Sequence, residues 1–505
     1  MSRTFITTAI PYVNSKPHLG FAMELVQTDV MARHRRHRGH EVRFCSGTDD
    51  NSLKNAMAAE AEGVPTRELV DRNAAAFHDL RDPLRISFDD FLRTSADPRH
   101  AVGVERLWKA VEAAGDLELR DFSGLYCVGC EQFYDEQELA DGVCPEHGSA
   151  PQRINERNWF FRLSRYEDRL RQLIASGELR IEPETRRNEV LSFLDRGLRD
   201  FSVSRSRERA RDWGIPVPGD DGQVVYVWFD ALINYITSLD YGTDGADFDR
   251  WWTDADEVIH VIGKGILRFH AVYWPAMLLS ADLPLPRTIF VHDYLTADGR
   301  KLGKSLGNSV DPRTLAEHYG ADALRWWLVR EVPRTGDTDF SLQRLVARYQ
   351  EDLAHGLGNL LHRTITMVRK YRAGRIPALD GLPADEPLVA APETVSGQVD
   401  AAMHRFDFRT ATAAIFDIVD AANRYVESTT PWALARAEKD GDTDAAKRLD
   451  TALATLVQAC RTLADELIPF LPDAAREAAK QLGDGEDHVG EPTPLFPQVE
   501  MPPDE

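Results

Sequence analysis

Residues 4–21 read TFITTAIPYVNSKPHLGF, and this stretch decides the fold. Its first part, residues 4–10, is apolar and β-branched like a buried strand, and Pro11 ends the run. A helical stretch begins at Gly20, and a second extended run covers Val42–Cys45. Strand, loop, helix and strand in such close succession predict a βαβ unit, which is the start of a parallel nucleotide-binding sheet.

Further strands of the same sheet are predicted downstream. Three apolar, β-branched runs carry the signal: Val224–Phe229, Val258–Ile262 and Thr288–Val291. Because these runs come long after the first βαβ unit, residues 115–210 are interpreted as an insertion into the sheet domain.

The last third of the chain is predicted to be an α-helical bundle. From about Leu342 onward strand patterns are absent, and apolar residues three or four apart between Leu449 and Leu467 indicate a helix buried along one stripe. A similar pattern runs from Phe408 to Tyr425. The Pro- and Ala-rich segment 376–399 is expected to be a linker, and the acidic, Pro-rich tail after Leu482 is expected to pack loosely.

These patterns give an α/β fold class: a Rossmann-type parallel-sheet catalytic domain with an inserted module, followed by an α-helical domain. The expected divisions are 1–114 and 211–341 for the two halves of the sheet domain, 115–210 for the insertion, 342–480 for the helical domain and 481–505 for the tail.

Composition narrows the class of protein. A chain of 505 residues is too long for one compact core, so two or three domains are expected. The net charge of −22 argues against sequence-independent binding to nucleic acid, which needs a basic field. No apolar run reaches the ~20 residues that cross a bilayer, and the N-terminus lacks a signal-peptide layout. We therefore expect a cytoplasmic protein that does not enter the membrane; its oligomeric state is not predicted.

A zinc module is predicted within the insertion. Cys127 and Cys130 form one pair of soft ligands and Cys144 and His147 a second, with two residues between the members of each pair. This spacing fits one tetrahedral Cys3His site, and four protein ligands leave no open position, so the Zn²⁺ is expected to be structural. The alternative is a cluster of buried free cysteines.

Two segments have features of a nucleotide site. His18 and Gly20 lie where the first strand joins the helix, and a helix N-terminus favours phosphate. Far downstream, Lys301 and Lys304 stand three apart in the Gly-rich segment DGRKLGKSLGN of residues 298–308. Such a loop can clamp a polyphosphate and stabilise its transition state. Taken singly, each feature is more often a turn or a solvated surface, so their co-occurrence carries the prediction.

Together the two segments resemble the HIGH and KMSKS signatures of the class I aminoacyl-tRNA synthetases. Other stretches narrow the resemblance to the methionyl branch of that family, over about residues 4–470. They are Ile10–Asn14, the Cys127–His147 pairs, Tyr226–Ala231, Ile262–Lys264, Phe269–Pro275 and Pro431–Trp432.

The resemblance implies an enzyme that forms an aminoacyl adenylate from Mg²⁺–ATP and passes the aminoacyl group to tRNA. It assigns ATP to His18, Gly20, Phe21, Gly263, Lys301, Lys304 and Ser305, with His18 and the two lysines catalytic. It assigns the substrate ammonium to Asp49 and the side-chain pocket to Ala9, Ile10, Tyr12, Trp228, Tyr235 and His270. Aromatic walls suit a thioether such as that of methionine, although such rings also fill cores.

In the helical domain the resemblance assigns anticodon recognition to Asn359, Arg363 and Trp432. Asn359 and Arg363 are four apart and therefore share one helix face. A ring beside polar groups can receive unstacked bases. The alternative is that the three residues only support the bundle.

Three departures from the family pattern affect the catalytic centre. Phe21 stands where a second histidine is usual, Asn51 replaces another histidine, and Gly265 replaces a carboxylate that Arg205 would face. Two alternatives therefore remain beside methionine–tRNA ligase. One is a paralogue that transfers the acyl group to a small molecule, as in hydrazine formation, which would require a separate cupin partner. The other is an inactive tRNA-binding regulator, which is disfavoured because His18, Asp49 and both lysines are present.

Overall fold

The computed structural model describes residues 2–127, 132–134, 136–145, 148–243, 245–297, 299–301, 310–378 and 386–499. Contacts divide the chain into two compact units. The first comprises residues 1–28, 39–81 and 87–292, and the second comprises 29–38, 82–86 and 293–505. Within the described ranges, none of the helices combines the length and the apolar character needed to span a bilayer.

The chain up to residue 292 alternates strands and helices. Its strands are β1 (Arg3–Thr8), β2 (Glu41–Thr48), β3 (Asp90–Arg93), β4 (Leu117–Cys127), β5 (Gln132–Tyr134), β6 (Gln152–Phe161), β7 (Arg180–Glu182), β8 (Phe201–Ser202), β9 (Ser204–Ser206), β10 (Pro216–Val217), β11 (Asp220–Val225), β12 (Glu257–Gly263) and β13 (Thr288–His292). Its helices are α1 (Leu19–His37), α2 (Leu53–Glu62), α3 (Thr66–His78), α4 (Pro98–Ala113), α5 (Glu167–Ser176), α6 (Glu184–Leu194), α7 (Val227–Thr237), α8 (Ala246–Phe248) and α9 (Trp274–Ser280).

The predicted parallel sheet is present, with six strands in the order β3-β2-β1-β12-β13-β7. Every neighbouring pair is parallel. β1 is central, and five of its six residues are buried because both faces of such a sheet are covered. The chain leaves β1 toward β2 on one side and returns to β12 on the other, so β1 and β12 flank the switch point where ligands bind in open α/β sheets.

The region between β3 and α7 is mainly antiparallel. β4 and β6 form a long two-stranded ribbon flanked by β5 and β8, and β9, β10 and β11 form a second small sheet. β7 lies in the same stretch of chain but belongs to the parallel sheet, where it pairs with β13. The chain therefore visits the main sheet once within residues 115–210.

One strand prediction is wrong. Val224–Phe229 does not form a strand of the parallel sheet, because β11 ends at Val225 in the small antiparallel sheet and α7 begins at Val227. Nearly every residue of α7 is buried. A helix that is apolar on all sides has no periodicity that distinguishes it from a buried strand.

The second unit is predominantly helical. Its short strands are β14 (Leu295–Ala297), β15 (Arg300–Lys301) and β16 (Thr338–Asp339). Its helices are α10 (Pro312–Tyr319), α11 (Ala321–Arg330), α12 (Leu342–Arg348), α13 (Asn359–Arg372), α14 (Pro387–His404), α15 (Phe408–Thr429), α16 (Pro431–Lys439), α17 (Thr443–Glu466) and α18 (Pro472–Gln481).

The bundle confirms two helix predictions and corrects one linker prediction. α17 buries the predicted stripe from Leu449 to Leu463, and α15 contains the second stripe. Segment 376–399 was expected to be a linker, yet α14 begins within it at Pro387. A proline in the first turn needs no N–H donor, so composition alone misled the prediction. The tail also packs, since Phe496 is 8% exposed and Tyr349 donates to the carbonyl of Pro497 over 2.6 Å.

A buried arginine holds the second unit together. Arg325 of α11 and Asp29 are both fully buried, and their Nη1 and Oδ2 atoms lie 2.7 Å apart. The guanidinium also donates to the carbonyls of Leu84, Pro469 and Phe470. A buried charge requires this degree of compensation, because losing one partner leaves the other uncompensated.

We predict that Arg325→Met lowers the free energy of unfolding by about 3 kcal/mol, the lower end of the cost of breaking a buried pair, because Arg33 still contacts Asp29. The control is Arg313→Met, which removes the exposed pair with Glu317 and should cost no more than about 1 kcal/mol. Chemical denaturation followed by circular dichroism measures both. Equal costs for the two variants would contradict the role of Arg325.

Candidate active site

The candidate site lies at the carboxyl edge of the parallel sheet. Ala9 and Ile10 follow β1, Asp49 follows β2, and Gly263 and His292 end β12 and β13. The strands β2, β1, β12 and β13 are adjacent in the sheet, so their carboxyl ends lie side by side along one edge. The sheet topology alone thus gathers residues that are far apart in the chain.

The turn into α1 presents His18 in a defined tautomer. The backbone N–H of Gly20 donates to Nδ1 of His18 over 3.0 Å, which leaves the ring proton on Nε2. A Cβ atom at Gly20 would lie 2.9 Å from Cε1 of His18, so only glycine allows this close approach. The imidazole can therefore donate a hydrogen bond through Nε2 to an anion at the helix N-terminus.

Phe21 is part of the core. It is 7% exposed, and its ring meets Phe77 of α3 edge to face at a centroid distance of 5.0 Å. The phenyl ring therefore serves packing, and the departure from the HIGH pattern has a packing partner.

Tyr12 and Asp49 stand side by side. They form an isolated parallel bridge beyond the ends of β1 and β2, and the N–H of Asp49 donates to the carbonyl of Pro11 over 2.9 Å. Asp49 is 1% exposed. Tyr12 meets Trp228 of α7 edge to face at 6.2 Å. A buried carboxylate is thus placed next to an aromatic wall.

Two aromatic pairs continue this wall. Trp228 stacks on Phe269 with centroids 3.8 Å apart and an interplanar angle of 7°. The hydroxyl of Tyr235 lies 2.7 Å from Nε2 of His270. His270 stands in the π-helical turn Phe269–Tyr273, a type of irregularity that is frequent at functional sites.

Hydrogen bonding and burial fix the protonation of this pair. Nδ1 of His270 donates to the carbonyl of Ile266 over 3.0 Å, so Nε2 accepts from the Tyr235 hydroxyl. Burial lowers the pKa of His270 to about 4. Burial also raises the pKa of Tyr235 well above its usual value. Both groups are therefore neutral near pH 7 and suit an uncharged side chain rather than an ion.

Glu24 is a site residue that sequence reasoning missed. Its Oε1 accepts from the N–H of Ala9 over 2.8 Å, and its Oε2 lies 2.8 Å from Nε2 of His292. Glu24 thereby links α1 to the ends of β1 and β13. The available signal was an acidic residue within an apolar stretch of a helix, four residues after Gly20.

Asn51 belongs to a second missed cluster. Its Nδ2 donates to Oδ2 of Asp230 over 2.7 Å, and Oδ1 of Asp230 lies 2.5 Å from Nε2 of His100. Asp230 and His100 are fully buried. Asp230 lies two residues after Trp228 and Asn51 two after Asp49, so the cluster ties the loop of Asp49 to the helix of the aromatic wall.

The remaining ATP-assigned residues are described only in part. Gly263 is paired with His292 across β12 and β13, and Lys264 and Gly265 follow it. The backbone of Lys301 pairs with Thr296. Lys304 and Ser305 lie outside the described residues, so the predicted lysine clamp stays a prediction.

The predicted zinc ligands are likewise only half described. Cys127 and Cys144 are both buried in one small cluster with Tyr134, separate from the main core. The N–H of Gly148 donates to the carbonyl of Cys144 over 2.8 Å. Cys130 and His147 lie outside the described residues. The zinc site therefore stays a prediction.

The three residues assigned to anticodon recognition lie in helices of the second unit, and Asn359 directly follows the π-helical segment Tyr349–Gly358. Asn359 begins α13, Arg363 follows one turn later, and Trp432 is the second residue of α16. Trp432 exposes 46% of its surface, whereas Trp108, Trp274, Trp326 and Trp327 are fully buried. About half of this indole is therefore not used in packing among the described residues.

Comparisons with known proteins point to the same family over nearly the whole chain. The family described as tRNA synthetases class I (M) matches residues 4–154 and 135–365, and the anticodon binding domain of methionyl tRNA ligase matches residues 380–494. Methionine–tRNA ligase of Brucella suis is 42% identical over 94% of this chain and 90% of its own length. That of Caldanaerobacter subterraneus is 40% identical over 96% of this chain and 75% of its own.

A solved structure is also similar. Methionyl-tRNA synthetase of Mycobacterium tuberculosis in complex with methionyl-adenylate superposes with a TM-score of 0.92 at 40% identity. The match covers 98% of this chain and 100% of that one. The helical part is therefore matched together with the sheet domain.

The neutral state of His270 has a measurable consequence. Its pKa is about 4 in the folded chain and about 6.5 when unfolded, so the unfolded chain binds more protons between these values. The contribution of His270 to the free energy of unfolding is fully present above about pH 6.5 and is lost as the pH falls toward 4. We predict that His270→Gln, whose amide can donate and accept hydrogen bonds but does not titrate, reduces the pH dependence of the free energy of unfolding in this window by about 1.4 kcal/mol per pH unit. Denaturation at several pH values measures it, and equal slopes would refute it.

Proposed function

The chain belongs to the class I tRNA synthetases of the methionyl branch, and from this premise we propose that it activates methionine with ATP and joins it to tRNA. The carrying observation is the full-length match together with the neutral aromatic pocket beside a buried carboxylate at the sheet edge. As a translation enzyme it would act in the cytoplasm.

We assign the amino-acid pocket to residues around Trp228. The carboxylate of Asp49 would hold the substrate ammonium through a charge-assisted hydrogen bond. Ala9, Ile10, Tyr12 and Trp228 would contact the thioether, since sulfur–ring contacts add attraction. The Tyr235–His270 hydrogen bond is already satisfied internally, so it offers no strong partner for a polar side chain. This favours methionine over polar amino acids.

We assign ATP, bound as its Mg²⁺ complex, to the turn of His18 and to the segment of Lys301 and Lys304. His18 would donate through Nε2 to a phosphate oxygen, and Gly20 and Gly263 would let the nucleotide approach the backbone. Phe21 would contribute only through its backbone position. The lysines and Ser305 would bind the β- and γ-phosphates as charge moves onto the leaving pyrophosphate.

Two displacements make up the reaction. A carboxylate oxygen of methionine attacks the α-phosphorus of ATP, and the bond to the bridging oxygen breaks to release pyrophosphate. A ribose hydroxyl at the 3′ end of tRNA then attacks the carbonyl carbon of the adenylate, and AMP leaves with the bonding electrons while the hydroxyl proton is lost. The chain positions both nucleophiles and stabilises the charge that develops on phosphate oxygens.

We also propose that Cys127, Cys130, Cys144 and His147 hold a structural Zn²⁺. When bound, the metal would cross-link the two turns of the inserted module. Cys127 and Cys144 support this because both are buried in a cluster too small to be stable as a hydrophobic core. In the second unit, Asn359, Arg363 and Trp432 would read anticodon bases, which is supported by the exposed indole.

The function is tested by ATP–pyrophosphate exchange across a panel of amino acids, followed by charging of tRNA. Exchange specific for methionine together with charging is expected. Exchange without charging would favour the small-molecule acceptor, and absence of exchange would refute the proposal.

For the lysine clamp we predict that Lys304→Ala lowers the exchange rate by about 10²–10³, the usual effect of losing one group that stabilises transition-state charge. Lys109→Ala is the control, because Lys109 is 61% exposed on α4 and pairs with Glu105 on the surface. Exchange by Lys109→Ala should equal that of the parent chain. A Lys304→Ala variant with full activity would rule out the clamp.

For the zinc module we predict that Cys144→Ser removes the bound metal, since a hydroxyl replaces a thiolate ligand. Elemental analysis of the purified chain should fall from about one zinc to none. Cys460→Ser is the control, because Cys460 is buried in α17 and contacts Thr364. If Cys144→Ser keeps its zinc, the site does not exist as proposed.

A further inference from the structure

Buried polar side chains join three elements of the first unit: α4, α7 and the loop that follows β2. Asn51 of the loop donates to one oxygen of Asp230 in α7, and Nε2 of His100 in α4 donates to the other, because a carboxylate only accepts. Nδ1 of His100 lies 2.8 Å from the hydroxyl of Thr237, which also belongs to α7. Asn51 is 8% exposed and the other three are fully buried. We call these four residues the polar network.

His100 fixes the rotation of α7 about its own axis. Asp230 and Thr237 are seven residues apart, so they lie two turns apart on one face of the helix, and His100 contacts both. The two helices also approach closely, since a Cβ atom at Gly103 of α4 would lie 2.2 Å from Cγ2 of Thr237. The face of α7 that meets α4 is therefore fixed at two points.

The same helix carries two aromatic residues of the proposed amino-acid pocket. Trp228, which stacks on Phe269, precedes Asp230 by two residues in the first turn of α7. Tyr235, whose hydroxyl donates to His270, lies further along α7. A rotation or shift of α7 at Asp230 would consequently move the ring of Trp228.

The loop that carries Asp49 has anchors of its own. The amide of Asn55 donates to the carbonyls of Asp49 and Asp50 over 3.0 and 2.8 Å, and the indole N–H of Trp213 donates to the carbonyl of Asp50 over 2.7 Å. None of these three hydrogen bonds involves α7. The bond from Asn51 to Asp230 adds the link between the loop of Asp49 and the helix of Trp228.

Methionine requires that this link have a fixed length. Its ammonium and its sulfur are joined by a short chain of carbon atoms, so a carboxylate and a ring that contact both ends must stand at a matching separation. A buried polar network whose hydrogen bonds are satisfied specifies one arrangement, whereas apolar contacts tolerate sliding. We propose that Asn51, Asp230 and His100 are positioning residues that set the separation between Asp49 and Trp228, and with it the affinity for methionine. This inference rests on the proposed function.

The first test is Asn51→Asp in the full chain, which keeps the shape of the side chain but replaces its N–H donor with a second carboxylate. We expect the KM for methionine in ATP–pyrophosphate exchange to rise about tenfold or more, as for a lost buried hydrogen bond, while the KM for ATP stays unchanged. Asn51→Ala removes the same donor without adding a charge and takes the place of the aspartate variant if that variant does not fold.

The matched control is Asn158→Asp. Asn158 is fully buried in β6, and its Nδ2 donates to Oε2 of Glu156 over 3.2 Å. The substitution therefore also places a carboxylate against a carboxylate in a buried site, but outside the polar network. The KM of this control for methionine should equal that of the parent chain.

A rescue experiment tests the hydrogen bond itself. Asn51→Asp is combined with Asp230→Asn, so that the introduced amide can donate to the introduced carboxylate and still accept from His100. The network is then closed again with its polarity reversed, and we expect the KM for methionine to return toward the parent value. A general loss of packing would instead accumulate over two substitutions in contact.

Two ligands distinguish positioning from a damaged pocket. L-Methioninol carries both the amine and the thioether, whereas 4-(methylthio)butan-1-ol lacks the amine and requires no fixed separation. Their inhibition constants against methionine are measured in exchange. Asn51→Asp should weaken L-methioninol about tenfold and leave the amine-free alcohol unchanged.

The proposal is overturned by any of four results: an unchanged KM for methionine in Asn51→Asp, an equal rise in the control or in the KM for ATP, no recovery in the double variant, or an equal loss of both ligands. A parent chain that shows no exchange with methionine refutes the proposed function. In that case calorimetric binding of the two alcohols, which needs no ATP, still tests the network, and a parent chain that binds neither overturns it.

Discussion

The site depends on the parallel pairing of β1 with β12. This pair flanks the point at which the strand order reverses, which is where ligands bind in open α/β sheets. At this edge, Asp49, Trp228 and the turn of His18 can all face one bound ligand. The sheet also brings together residues that are far apart in the chain. Glu24 and His292, for example, are hydrogen-bonded although 268 positions separate them.

Burial then decides the chemistry of what the sheet gathers. His260 and His270 both lie in the aromatic layer, and burial lowers the pKa of each. Their hydrogen bonds agree with neutral rings: Trp274 donates to Nε2 of His260, so its Nδ1 carries the proton that faces Thr7. If these groups line the substrate pocket, as proposed, they would disfavour a charged side chain, because no partner in the pocket would offset its desolvation. Asp49 is a buried carboxylate beside this layer, and we propose that it holds the substrate ammonium.

Much of this arrangement could be predicted from the sequence, and the misses share a cause. β1, β2, β12 and β13 were predicted because short apolar runs bounded by breakers carry a local signal, as did the stripe of α17. α7 and α14 were misread, since a fully buried helix loses its periodicity and prolines near a helix start look like a linker. Glu24, His100 and Asp230 were missed altogether. Their roles exist only through partners distant in the chain, 130 residues apart for His100 and Asp230, and no local pattern encodes such a pair.

Two of the three departures at the catalytic centre are explained by local partners. The ring of Phe21 packs edge to face on Phe77, so the side chain at this position contributes to the core. Asn51 faces one oxygen of Asp230, whose other oxygen faces His100. An imidazole at both oxygens would give one carboxylate two titratable partners, whereas the amide donates the same hydrogen bond and adds no charge. The amide therefore keeps the link between the Asp49 loop and α7 while removing one proton equilibrium from a fully buried cluster. Gly265 differs in kind, because glycine has no side chain to replace the carboxylate of the family pattern, and nothing in the structure explains this change.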